Sequence, residues 1–271
     1  MTASLAAFYA GIKVGHIEAG LRTHNLKSPF PEELNRQFTG LVANIHFAPT
    51  TQAKANLLKE RITEDCICVT GNTVIDALQE TVEKVQQQNP DFAENIPFKT
   101  KKVILVTGHR RENFGAGMQR ICQAVAQLAT QRDDIHFVYP VHLNPNVKSV
   151  VHTILGNHPN ITLIPPLEYP DFVWLLDKSF LIITDSGGVQ EEAPSLGKPV
   201  LVTRDTTERP EAVTAGTVKL VGTDAVQLKM EVLRLLEDAE AYKIMSAAHN
   251  PYGDGKAAQR ILDFVLHYFK A

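Results

Sequence analysis

From Lys102 onward the chain repeats one pattern: a short uninterrupted apolar run, then a segment whose apolar residues recur at helical spacing. The run Val-Ile-Leu-Val within Lys102–Thr107 is the clearest, and 135–141, 161–164, 181–184, 199–203 and 218–221 follow it. Strands that are apolar on both faces must be covered on both faces. That requirement selects a parallel sheet with helices on either side. Right-handed crossovers then predict a doubly wound α/β layout, with ligands bound at the carboxyl ends of the strands.

The first part is shorter. A helix over 2–11, strands over 12–17, 44–48 and 66–69, and helices from Pro31 to about Val42 and over 51–60 are expected. Only three strands precede Gly71, and the chain opens on a helix with no strand before it. The simplest reading is that the first β-α-β elements of a doubly wound domain are missing; the alternative is that the short half packs as an appendage on the second domain. Another helix is expected from about Val74 to Gln87, and the polar stretch 86–95 reads as a linker or loop. Helices near 118–131, 147–155, 169–178, 190–196, 225–236 and 256–268 complete the pattern.

Composition excludes several classes. Hydrophobic residues are 44% and charged residues 21% of the 271, ordinary for a globular protein with a sizeable core. A net charge of −3 leaves no electrostatic footprint for nucleic acid or an anionic membrane. No apolar run is long enough to span a bilayer, and no signal peptide is visible, which makes the cytoplasm the expected location. Three cysteines, Cys66, Cys68 and Cys122, suit a reducing compartment rather than a disulfide scaffold. A strand would put Cys66 and Cys68 on one face, where buried thiols are expected because no second pair exists to complete a metal site. P-loop, HExxH and GxGxxG signatures are absent.

Chemistry concentrates at predicted strand ends. Thr184-Asp185-Ser186-Gly187-Gly188 follows a buried strand and opens a helix. Its glycines permit close backbone approach, its amides suit a phosphate or diphosphate, and Ser186 adds a hydroxyl. Glu192, further along, can accept from ribose hydroxyls. The bland alternative is a tight turn without a ligand. Arg209 lies on the loop after the next strand, where it can clamp a diphosphate or serve in internal ion pairs. His109, Arg110 and Arg111 share the loop after Thr107, and His142 follows the next strand. Histidines there can contact phosphate or move protons near neutral pH. Glu18, Glu32 and Glu33 offer carboxylates at a strand end and a helix start, suited to acid-base work or, for Glu33, to helix capping.

Taken together, GHIEAGLRT, SPFPEELNRQ, GNTVIDAL, VTGHRREN, YPVHLNPN, TDSGGVQEEAPSLGKPVLV, RDTTERPEAV and HNPYGDG resemble the non-hydrolysing UDP-N-acetylglucosamine 2-epimerases, in the family's order. The resemblance implies an α/β fold of two Rossmann-like domains facing a cleft, similar to one class of nucleotide-sugar glycosyltransferases, with the first domain incomplete. It assigns 1–70 to that first domain and 71–271 to the UDP-binding one, with the last helix a candidate to pack back on the first. It implies reversible conversion of UDP-GlcNAc to UDP-ManNAc for surface polysaccharide synthesis, by UDP elimination and re-addition through 2-acetamidoglucal. No cofactor or metal is expected, and a homodimer is.

By the same resemblance, Glu18, Glu32 and His109 match catalytic residues. Ser186, Gly187, Glu192 and Arg209 match the UDP-binding set, and Arg110 and His142 match a site for a second, activating UDP-GlcNAc. The family's opening Gly-Thr-Arg-Pro-Glu loop and its His-Gly-Asp-Thr segment, which carries a third catalytic carboxylate, do not occur in this sequence. A truncated chain is expected on that ground. A UDP-sugar-binding remnant without turnover and a glycosyltransferase of similar architecture are the rival expectations.

Overall fold

A computed structural model describes residues 1–270. The chain forms two compact units. The first comprises Met1–Gln79, Thr206–Glu211 and the segment from Pro251 onward; the second comprises Glu80–Asp205 and Ala212–Asn250.

The first run of elements is α1 (Thr2–Tyr9), β1 (Gly15–Ile17), α2 (Glu32–Val42), β2 (Ile45–Ala48), α3 (Thr51–Lys59), β3 (Ile67–Val69) and α4 (Thr73–Val85). The three strands form one parallel sheet in the order β1-β2-β3, with Gly15 opposite Ile45 and His46 opposite Ile67. Among the described residues β1 has a strand neighbour on one side only. Thr50 caps α3 by accepting from Ala53 N at 3.0 Å. Gly20, at φ 87°, lies so close to α3 that an added Cβ would stand 2.2 Å from Ala53 O. No side chain fits between that turn and the helix backbone.

Two expectations shift here. The strand of residues 66–69 begins one residue later, because Glu64–Cys66 forms a 3₁₀ turn. Cys66 and Cys68 therefore do not share a strand face, and both are half-buried rather than buried thiols. Only Cys122 is fully buried, and that burial pushes its thiol up to about 12.

The second run is β4 (Lys102–Thr107), α5 (Ala116–Gln131), β5 (Ile135–Pro140), α6 (Pro145–Leu155), β6 (Ile161–Ile164), α7 (Tyr169–Lys178), β7 (Leu181–Thr184), α8 (Val189–Ser195), β8 (Val200–Val202), α9 (Pro210–Ala215), β9 (Val218–Leu220), α10 (Ala225–Glu237), α11 (Ala239–Ala247) and α12 (Ala257–Tyr268). Six parallel strands lie in the order β6-β5-β4-β7-β8-β9. The order reverses between β4 and β7, so the loops after these two central strands flank a crevice at the carboxyl end of the sheet.

Ile104, Phe137 and Ile183 are fully buried in the sheet, against Val125 and Leu128 of α5, Val147 and Val151 of α6, and Val232 of α10. Each such side chain contributes about 1.5–3 kcal/mol by leaving water. In the first unit, Phe264 of α12 packs edge-on against Phe47 at 5.6 Å. Asp76 accepts from Ala257 N and Ala258 N at 3.1 and 2.8 Å, capping α12 from a distant position. No helix among the described residues is long and apolar enough to cross a membrane.

Candidate functional site

In the second unit the site is organised by Asp185, which ends β7 fully buried. Its Oδ2 accepts from His109 N at 3.0 Å, Arg110 N at 2.9 Å and Asn113 Nδ2 at 3.2 Å. Asn113 donates also to Thr203 O at 3.0 Å. One buried carboxylate thus fixes the loop after β4 to the end of β7, and the donors compensate the cost of burying its charge. A hydroxyl pair reinforces the seam, Thr107 Oγ1 and Thr184 Oγ1 lying 2.6 Å apart.

The His109 ring stands over this anchor. Its Nδ1 is 3.6 Å from Asp185 Oδ1, and its ring stacks nearly parallel on His142, with centroids 5.4 Å apart. Burial pulls the His109 pKa below the ordinary value. Asp185 opposes that shift, while His142 and Arg110 add to it. A neutral imidazole at physiological pH follows, able to donate from one nitrogen and accept on the other. His142 Nδ1 accepts from Asn144 N at 3.1 Å. His109, Arg110 and His142 are therefore brought together, as their strand-end positions implied.

Ser186 and Gly187 form the turn into α8, and Ser186 N donates to Thr184 Oγ1 at 2.9 Å. Glu192 is buried, and its Oε1 accepts from Tyr169 Oη at 2.7 Å. Burial, with Glu192 adjoining, raises the Tyr169 pKa, so the phenol keeps its proton and donates.

In the first unit, Glu18 follows β1 in the left-handed region, at φ 61°. A non-glycine residue held there costs about 1–3 kcal/mol and persists where the surroundings over-determine it. Asn72 Nδ2 donates to its Oε1 at 2.7 Å. Glu32 opens α2 half-buried, and its neighbour Glu33 is fully buried. The Glu33 carboxylate accepts from Thr23 N at 3.0 Å, His24 N at 3.1 Å and Gln37 Nε2 at 3.0 Å. Glu33 is thus a latch for the loop between β1 and α2.

Arg209 falls in this first unit. It is buried, and its Nη1 donates to Glu208 Oε1 at 2.6 Å. Arg36, on α2, approaches the same carboxylate oxygen at 3.8 Å. Burial holds the Arg36 guanidinium below its ordinary pKa. Glu208, Glu18 and Glu33 act against that shift, and Arg209 acts with it.

Sequence reasoning gave no role to Asp185, Asn72, Tyr169, Arg36 or Glu208. Two had a local signal. Asp185 is an acid between a buried strand and a glycine turn, and Arg36 stands four residues after Glu32 on one helix face. Tyr169 and Asn72 reach partners 23 and 54 residues away, and no local pattern marks them.

Residues 1–266 match the family model described as UDP-N-acetylglucosamine 2-epimerase. The chain belongs to the UDP-N-acetylglucosamine 2-epimerase family. It is 59% identical over 268 residues to the UDP-N-acetylglucosamine 2-epimerase of Escherichia coli K12, covering 97% of this chain and 71% of that protein. Among solved structures, the Neisseria meningitidis UDP-GlcNAc 2-epimerase bound to UDP-GlcNAc superposes with a TM-score of 0.94 at 52% identity. That alignment covers 98% of this chain and 72% of the other. The S. aureus MnaA–UDP co-structure gives 0.95 at 47% identity, with the same two coverages. The epimerase fold is thus a three-stranded and a six-stranded parallel sheet in this chain.

Proposed function

We propose that this epimerase-family chain interconverts UDP-GlcNAc and UDP-ManNAc. The observation that carries the proposal is the pair of carboxylates Glu18 and Glu32, one at a strained strand end within electrostatic reach of Arg36 and one on the first turn of α2, four residues before it. Acids near cations are suited to removing a proton while negative charge develops on a neighbouring phosphate.

In the proposed reaction a carboxylate takes the C2 proton. The C1–O bond breaks with its electron pair going to the diphosphate, and a C1–C2 double bond forms. The second carboxylate returns a proton to the opposite face of C2, and UDP re-adds at C1. Glu18 and Glu32 carry the proton transfers. Arg209 neutralises the phosphates, and the Ser186–Gly187 turn offers its hydroxyl and close backbone approach to the diphosphate. Glu192, with one oxygen on Tyr169, turns its carboxylate to the ribose hydroxyls. His109, neutral and anchored through Asp185, donates to the diphosphate. Arg110 and the stacked His142 serve a second, activating UDP-GlcNAc. The assembly is a homodimer, and UDP-ManNAc leaves toward surface polysaccharide synthesis.

The test is incubation of the full chain with UDP-GlcNAc in deuterated water. Deuterium at C2 together with UDP-ManNAc is the expected result. UDP-GlcNAc recovered unexchanged, with UDP still bound, would identify a binding protein without turnover. Sugar transfer to an added acceptor would identify a glycosyltransferase.

A further inference from the structure

The stretches GNTVIDAL and HNPYGDG take no part in the binding or proton transfer proposed above, yet Gly71-Asn72 of the first meets Tyr252-Gly253 of the second within the first unit. Tyr252 O accepts from Asn72 N at 2.7 Å. Gly71, at φ 83°, and Gly253, at φ 129°, touch backbone to backbone: a Cβ on Gly71 would stand 3.3 Å from Gly253 Cα, and one on Gly253 would stand 3.2 Å from Gly71 Cα. Arg260 of α12 donates to Thr70 O at 3.0 Å and pairs with Asp254 at 2.8 Å. Tyr252 itself is fully buried, its hydroxyl 3.5 Å from Glu211 Oε2. With Asp76 on the first amides of α12, the loop between β3 and α4 is tied to the segment 252–260 at Thr70, Asn72 and Asp76.

The side chain so placed is buried and has a defined orientation. Asn72 Oδ1 accepts from Val74 N at 3.3 Å, in the first turn of α4, and Asn72 Nδ2 donates to Glu18 Oε1 at 2.7 Å. The amide oxygen faces a donor and the amide nitrogen faces a carboxylate, so the partners themselves decide which way the group points. Glu18 is half-buried on a left-handed backbone at φ 61°. A carboxamide neither gives up nor takes a proton near neutral pH. It can therefore hold a carboxylate without competing for the proton that the carboxylate moves.

We infer that Asn72 is a positioning residue for the reaction, its amide orienting the Glu18 carboxylate and the Tyr252 carbonyl holding Asn72 in register to do so. This rests on the reading that Glu18 carries a proton transfer. A reacting group misplaced by about 1 Å can lose about 10²-fold in rate. Acting through Glu18, Asn72 changes the rate of proton transfer and leaves the grip on the nucleotide as it was.

Rates of deuterium incorporation at C2 of UDP-GlcNAc test the assignment in the full chain, using wild type, Asn72→Asp and Asn72→Ser, with UDP affinity measured by calorimetry. Both variants keep an oxygen in the side chain and lose the amide donor; Asn72→Asp also sets a second negative charge beside Glu18. The expected result is a kcat for exchange lower by about 10- to 100-fold, more for Asn72→Asp, with KM and UDP affinity within about 3-fold. Added to Glu18→Gln, Asn72→Ser should cost less than about 2-fold further, because the group it orients no longer moves a proton. Should Asn72→Asp fail to fold by circular dichroism, Asn72→Ser decides by the same split. Unchanged kcat in the folded variants overturns the inference. So does a loss shared equally by kcat, KM and UDP affinity, or one that multiplies in full with Glu18→Gln, since each marks a structural role. Absence of exchange in wild type would instead bring down the proposed function, and this inference with it.

Discussion

The Tyr169 hydroxyl donates to Glu192 Oε1 at 2.7 Å, joining the first turn of α7 to the middle of α8. That bond fixes the orientation of the buried carboxylate. Tyr169→Phe removes the donor and keeps the ring. The expected outcome is a 3- to 10-fold weaker UDP affinity, about 1 kcal/mol, the ordinary net worth of one hydrogen bond. Affinity for 2′,3′-dideoxy UDP should not change, because that nucleotide gives Glu192 nothing to accept. Parallel titrations with the two nucleotides check this, and equal losses for both would refute the orienting role.

Asp185→Asn should destabilise the second unit by about 2–4 kcal/mol, since the buried carboxylate accepts from two backbone amides and Asn113. An amide cannot accept from all three without turning its NH₂ toward a donor. Urea denaturation monitored at the buried Trp174, itself in this unit, measures the loss. A midpoint equal to wild type would show that the loop after β4 is held by other contacts.

Glu18→Gln and Glu32→Gln retain size and hydrogen-bonding capacity but cannot take a proton. Each should lower the rate of C2 deuterium incorporation by about 10²–10⁴-fold, while UDP affinity changes little. The readout is the exchange rate at saturating UDP-GlcNAc. Exchange at the wild-type rate in either variant would remove that residue from the proton-transfer role.

Acid should weaken the first unit through His16. Burial chiefly, with His46, Arg22, Arg36 and the chain's amino terminus adding, lowers its pKa from 6.5 to about 4. The folded state then binds the proton more weakly than the unfolded state. Stability is therefore complete above pH 6.5 and declines as pH falls from 6.5 toward 4. The loss from this group is about 2–3 kcal/mol at the lower limit. Thermal midpoints across that window, compared with His16→Gln, check the sign. A variant with the wild-type slope would assign the acid sensitivity to other groups.

The elements were largely legible because apolar strands and amphipathic helices are local patterns. The strands at Lys102–Thr107, Ile161–Ile164 and Leu181–Thr184 and the helix Tyr169–Lys178 fall at their expected residues. Two short helices were missed. Pro210–Ala215 spans less than two turns, and Ala239–Ala247, with a start signal in Asp238, which accepts from Glu240 N and Ala241 N, is only nine residues long and follows the preceding helix directly. The site was half legible. Glycine turns and charged strand ends marked His109, Ser186 and Glu18, because loop chemistry at a strand terminus is encoded by neighbours in sequence.

The sequence by itself determined the parallel α/β architecture and which loops carry chemistry, since burial on both faces and turn residues act over a few positions. Only the tertiary structure decided which side chains those loops hold in place. It put Tyr169 on Glu192, Asp185 under His109, Glu33 into a latch, and Arg36 beside the Glu208–Arg209 pair. Hydrogen bonds and ion pairs act over about 3–4 Å. Groups tens of residues apart come within that reach only after the chain has folded.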